Sequence, residues 1–136
     1  MGRSPGFDTV VVGAGVVGLA AASALARVGH SVLILERHAG IGQEASSRNS
    51  QVIHAGLYYP PGSLKADLCC RGRELLYAWV EARGVPYRKL GKLVVASEEA
   101  DLAKLEVLLA RGQANGVPGL RMLGAQAVRA REPALA

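Results

Sequence analysis

Gly13, Gly15 and Gly18 stand at G-x-G-x-x-G spacing directly after the apolar residues 10–12, and Glu36 closes a second apolar run, residues 32–35. Residues of these types at this spacing can hold a pyrophosphate and the ribose beside it. Gly13 permits a sharp turn out of a strand, and Gly15 lacks the Cβ that would keep the backbone away from phosphate oxygens. Gly18, with Ala22 one helical turn later, allows close packing of a helix on a sheet. The first helical residues, Val16 and Val17, offer unpaired backbone N–H groups at the positive end of that helix. Glu36 follows Gly18 by 18 residues, where a carboxylate can accept from a ribose 2′-hydroxyl and repel a 2′-phosphate. A dinucleotide other than NADP is therefore expected, with NAD and FAD equally served by these residues alone.

The elements that must position these groups are a strand, a glycine turn, an alanine-rich helix and a second strand. That order gives an α/β class, a Rossmann-like βαβ unit. The same stretch is uncharged from residue 9 to residue 26, and Ala24-Leu25-Ala26 has the small-residue form of a cleavage site. A signal peptide or membrane span is disfavoured because Asp8 stands where a basic segment belongs and only Arg3 precedes it. Gly2 is not read as a myristoylation signal, since Gly6 occupies the position that needs Ser or Thr.

The 136 residues suffice for one ordinary domain. Half are hydrophobic and a fifth charged, as expected of a folded chain. The formal charge of +5 arises from 16 basic and 11 acidic residues scattered without a dense run, beside one Trp, four Tyr and one Phe. No nucleic-acid partner is expected from so dispersed a pattern. Adjacent Cys69 and Cys70 cannot form a disulfide framework, so reducing conditions and a cytoplasmic location are expected, with the two thiols as small apolar helix residues. Without a Cys and His cluster at ligand spacing, no metal is expected.

Downstream, residues 37–51 (RHAGIGQEASSRNSQ) lack periodicity and read as a loop leaving the ligand end of the second strand. Its hydroxyls, amide and guanidinium suit phosphate oxygens, and a plain solvated loop is the competing reading. A helix is predicted from an N-cap at Ser63 to Arg83, with Gly84 as its stop. Leu64, Leu68, Leu75, Leu76, Trp79 and Val80 would form its buried face, Trp79 being core rather than a stacking platform. Residues 90–96 look like a strand, and Ser97 is expected to cap a further helix with Glu98, Glu99 and Asp101 in its first turn and Leu102, Leu105 and Leu109 as its stripe. Asn115-Gly116 should end that helix, and residues 120–123 form a short strand. The layout predicts a nucleotide-binding portion over residues 1–86 and the opening of a second domain over 87–136, with truncation expected there.

The segment ASSRNSQVIHAGLYY, together with the opening fingerprint and the later GKLVVAS and EPAL, resembles the D-amino-acid oxidase-like FAD-dependent oxidoreductases. Within them it is most similar to the branch that contains L-2-hydroxyglutarate oxidase and dehydrogenase. The resemblance spans essentially the whole chain and about the N-terminal third of such an enzyme. It implies FAD as cofactor, with the pyrophosphate on Gly13, Gly15 and Gly18, the adenosine ribose on Glu36, and Arg37 toward the adenine. It also implies that Ser46, Ser47, Arg48, Asn49 and Ser50 run along the pyrophosphate toward the isoalloxazine.

In the same resemblance His54 lies by the flavin, where an imidazole can take a substrate hydroxyl proton as hydride leaves C2 for flavin N5. A hydrogen bond to the flavin ring and a packed structural histidine are the competing roles. His30 and His38 are read as surface residues. Glycerol-3-phosphate dehydrogenases of a related branch carry Ile-His-Gly-Gly-Leu-Arg-Tyr, but Ala55 replaces the first of those glycines here and Tyr58 the arginine. An arginine suits a phosphate-bearing substrate, so its absence weakens that branch, and the resemblance implies oxidation of a small 2-hydroxy acid. Tyr58 and Tyr59 are then candidates to line the substrate side or to pack. An amine or amino-acid oxidase and a non-catalytic dinucleotide-binding module are the alternative functions. Electrons would pass to oxygen or to a peripheral membrane acceptor, and no oligomeric state is implied.

Overall fold

A computed structural model describes residues 6–135. Gly2 and Arg3, weighed above as parts of targeting signals, lie outside the described residues. The chain divides into two compact units, residues 1–52 and residues 53–136.

The first unit is a βαβ element. Strand β1 (Thr9–Val12) pairs in parallel with β2 (Val32–Leu35), Thr9 opposite Val32 and Val12 opposite Leu35, and α1 (Val16–Arg27) connects them. The β-branched runs suit a pleated ladder, and a parallel pair needs a crossover such as this helix. β1 alternates: Thr9 and Val11 are half-buried whereas Val10 and Val12 are exposed. The helix thus covers one face, with Ala14 and Ala22 at 1% and 5% exposure marking the contact. Gly18 explains how the backbones come so close. A Cβ there would overlap the Gly13 carbonyl oxygen and touch Val11 Cγ1 at 3.4 Å. At the other end Gly29 (φ +92°) turns the chain out of α1, with its N–H donating to the Ala26 carbonyl.

A pairing of Asp8 with Ser31 fastens the start of the ladder. The Ser31 N–H and hydroxyl donate to Asp8 Oδ2 at 2.8 and 2.7 Å, and the Asp8 N–H donates back to Ser31. The backbone N–H of Ser31, then its hydroxyl, holds the Asp8 carboxyl below the usual aspartate range.

In the second unit α2 (Leu64–Glu81) begins at Ser63, whose hydroxyl accepts from the Ala66 N–H at 3.2 Å, and Gly84 follows its end at φ +63°. Of the six residues expected on the buried face only Val80, 7% exposed, is buried. Leu64, Leu68, Leu75, Leu76 and Trp79 are 40–73% exposed. Burial instead follows Ala66, Cys70, Arg73, Tyr77 and Val80, on the opposite side of the helix. Small residues there admit the backbone of residues 55–59 to close range, an approach the leucines would block. Trp79 is not core: at 49% exposure it carries the Arg83 guanidinium 4.3 Å above its ring.

Residues 90–96 and 120–123 are not strands. Their apolar, β-prone composition finds no neighbouring strand in this unit, and a strand exists only by pairing. Helix α3 (Leu102–Ala114) follows a 3-10 turn, Glu99–Asp101, and Ser97 is not its cap. Instead the Asp101 carboxylate pairs with Lys104 at 2.7 Å. Lys104 is the leading cause of its lowered pKa. Asn115 and Gly116 (φ +71°) end α3 as expected, and α4 spans Ala125–Arg131. Among the described residues no helix is long and apolar enough to cross a membrane, and no group of three or more metal-type ligands gathers. Cys69 and Cys70 are both free and half-buried.

A carboxyl with a lowered folded pKa stabilises the fold above its unfolded pKa, and that contribution disappears as pH falls through the folded value. Asp8→Asn is therefore expected to lower the thermal midpoint at pH 7. It should also flatten the loss of stability seen in the parent chain between pH about 5 and about 2. Circular dichroism melts across that range decide it, and superimposable pH profiles would contradict the Asp8 latch.

Candidate functional site

The first unit gathers its candidate residues at the C-terminal ends of both strands. β1 leads into Gly13, which takes φ +98° with open space where a Cβ would stand. The Gly13 N–H donates to the Leu35 carbonyl at 2.7 Å, which extends the ladder into the turn. Gly15 caps α1, and a Cβ on it would lie 3.2 Å from Ser46 Oγ.

Two side chains from downstream satisfy amides of this turn. Glu36 Oε2 accepts from the Ala14 N–H at 2.7 Å and Oε1 from the His38 N–H at 3.0 Å. Those donors, His38 first and Ala14 second, hold the Glu36 carboxyl below the usual glutamate range. It is thus an anion at neutral pH, and a carboxylate has about four lone-pair sites, so both oxygens retain acceptor capacity. Ser46 Oγ accepts from the Val16 N–H at 2.9 Å, which leaves its own O–H as a donor at the helix N-terminus.

A cavity of about 390 Å³ adjoins the turn, lined by Val12, Gly13, Gly15, Glu36 and the loop residues 37, 38 and 42–44. That size is within the range of small-ligand sites. Gly42 ties the loop to the turn, its N–H donating to the Ala14 carbonyl at 2.9 Å.

Not every candidate in the loop points the same way chemically. Ser47 Oγ donates to the Glu44 carbonyl, and Asn49 Nδ2 donates to the Ser46 carbonyl while its Oδ1 accepts from the Gln51 N–H. These two side chains shape the loop itself. Arg37 and Arg48 both turn to Glu44, at 2.9 and 3.7 Å, and each is about three-quarters exposed. Ser50 and the Val17 side chain are exposed, while Val17 and Val16 share the first turn of α1.

Glu44 is the residue that sequence reasoning passed over. It accepts from His38 Nε2 at 2.6 Å as well as from Arg37, and these contacts, His38 first, hold its carboxyl below the usual range. The available signal was one acid among Arg37, His38 and Arg48. His38 is accordingly half-buried and bonded, not a free surface residue, whereas His30 is exposed and shares 3.3 Å with Thr9 Oγ1.

His54 belongs to the second unit, exposed, at the head of residues 54–59. Their carbonyls are held by side chains. Arg73 Nη1 and Cys70 Sγ donate to Ala55, Asn115 Nδ2 to both Gly56 and Tyr59, and Arg111 Nη1 to Tyr58. The Tyr58 and Tyr59 rings carry Lys92 and Lys65, each 4.5 Å from the centroid.

Comparison with known proteins adds a lineage to this geometry. The model of a family of FAD dependent oxidoreductases, DAO, matches residues 8–136. The mitochondrial L-2-hydroxyglutarate dehydrogenase of Arabidopsis thaliana is 54% identical over 123 residues, covering 90% of this chain and 26% of that protein. Its Homo sapiens counterpart is 43% identical over 129 residues, covering 93% and 28%. Among solved structures, dithionite-reduced L-alpha-glycerophosphate oxidase from Mycoplasma pneumoniae with FAD bound superposes at a TM-score of 0.81 with 34% identity, covering 93% of this chain and 34% of that one. The chain thus spans roughly a quarter to a third of the length of these proteins. Fingerprint, fold and family model agree: the chain belongs to the DAO family of FAD dependent oxidoreductases.

Proposed function

We propose that this chain is the cofactor-anchoring part of a flavoenzyme that oxidises a small 2-hydroxy acid, L-2-hydroxyglutarate or a close analogue. The observation that carries the cofactor reading is the glycine turn with Glu36 bound at Ala14 and Ser46 bound at Val16. Its backbone is open at Gly13 and its helix end offers a hydroxyl donor, while the Glu36 carboxylate keeps acceptor capacity for ribose hydroxyls. These groups fit the ADP half of FAD. The substrate reading is supported by L-2-hydroxyglutarate dehydrogenases 43–54% identical to this chain.

In this reading Gly13, Gly15, Val16 and Ser46 meet the pyrophosphate and Glu36 the ribose. Residues 1–86 form the FAD-binding portion, and residues 87–136 open the substrate domain. FAD supplies a ring that accepts a hydride. His54 takes the hydroxyl proton of the substrate as general base. Oxygen or a membrane-bound acceptor receives the electrons. A reducing compartment fits the two free thiols, and two of the similar dehydrogenases are named as mitochondrial.

A glycerophosphate substrate is the second reading, favoured by the solved oxidase at 34% identity. Tyr58 stands against it, since position 58 presents no guanidinium to a phosphate.

Mixed with FAD and passed through gel filtration, the chain is expected to emerge yellow. Gly15→Val should emerge colourless, because the larger side chain would occupy the space of the pyrophosphate beside Ser46. Glu36→Ala should weaken FAD retention about tenfold or more by loss of a charged acceptor for the ribose. Undiminished FAD affinity in the valine variant would contradict the cradle. Anaerobic bleaching at 450 nm by L-2-hydroxyglutarate, but by neither amino acids nor glycerol 3-phosphate, is the expected substrate result. Bleaching by one of the other two alone would overturn it.

A further inference from the structure

We propose that Asn115 is a positioning residue for His54, an inference that rests on the functional reading of His54 given above. Residues 53–59 belong to no helix or strand, so their carbonyls have no ladder to join. Donors from two distant helices serve them instead. Asn115 lies at the end of α3, 59 residues from Gly56 and 56 from Tyr59, and its Nδ2 donates to both carbonyls at 2.8 Å.

Both partners are acceptors, so the NH₂ of the amide faces the loop, and its two hydrogens match the two carbonyls. These bonds are shorter than those from Arg73 and Arg111, each 3.3 Å, and from Cys70, 3.4 Å. Asn115 is itself held, since its backbone carbonyl lies 3.1 Å from Cys70 Sγ and shares that thiol's one hydrogen with the Ala55 carbonyl.

The clamp acts on a place where the loop has no slack. Gly56 is buried at φ +91°, and a Cβ on it would stand 2.6 Å from Cys70 Sγ. With Gly56 and Tyr59 gripped by one amide, the turn between them is closed, and His54 emerges two residues before it. The course of the chain at His54 is thereby set from α3, by the Asn115 amide, together with the α2 donors to Ala55.

The test compares the 136-residue chain with Asn115→Ala and Asn115→Asp, the latter similar in shape but without donors. Asn115→Ser, which keeps one donor, serves as the milder variant should alanine prevent folding. Amide hydrogen exchange and the ring cross-peak of His54 are read first without FAD, and FAD retention is read afterwards on the same samples. In the alanine and aspartate variants, amides of residues 54–59 are expected to exchange about tenfold or more faster, with the serine variant between. The His54 ring signal should shift while amides in the middle of α2 and α3 keep their protection. An unmoved ring signal, or exchange that rises equally through α2 and α3, overturns the positioning role. If the loop responds as expected in a chain that never retains FAD, the clamp on His54 stands and the cofactor reading falls.

Discussion

Two amide groups at the head of α1 are satisfied by oxygens supplied 22 and 30 residues further along, from Glu36 and Ser46. The first turn of a helix leaves N–H groups with no intrahelical partner, and burying them without acceptors is costly. Here that need draws the end of β2 and the following loop onto the glycine turn. The Gly42 tie and the cavity beside Glu36 lie at that convergence. A turn with side chains would not permit it, because Gly18 and Gly15 stand where any Cβ would press on the Gly13 carbonyl or on Ser46.

The same rule governs the second unit by different means. Residues 55–59 have polar backbone and no ladder, and the donors come from Cys70 and Arg73 on α2 and from Arg111 and Asn115 at the end of α3. A thiol, two guanidiniums and an amide replace the hydrogen bonds that a neighbouring strand would provide.

The βαβ element was legible in the sequence because its signals are local: β-branched runs, three glycines at fixed spacing, an acid at the end of the second run. Ser63, Gly84 and Gly116 marked helix ends for the same reason. The family was legible in residues 45–59, a motif specific enough to narrow a fingerprint shared by many nucleotide sites. Glu44 was missed because its importance depends on two guanidiniums and an imidazole converging in space. Residues 90–96 were misjudged because composition shows strand preference but not whether a partner strand is present. The face of α2 was misjudged because leucine spacing is a strong signal and the small residues that admit a backbone are a weak one.

That inversion on α2 has a consequence for mutational tolerance. On an ordinary core helix the damaging change is truncation, a leucine cut to alanine. Along Ala66, Cys70 and the facing Gly56 there is no bulk to remove, and Ala66 is only 1% exposed. Enlargement by a single methyl is the severe change there, whereas Leu64 and Leu68, 73% and 57% exposed, can be shortened with little effect on this unit's own packing.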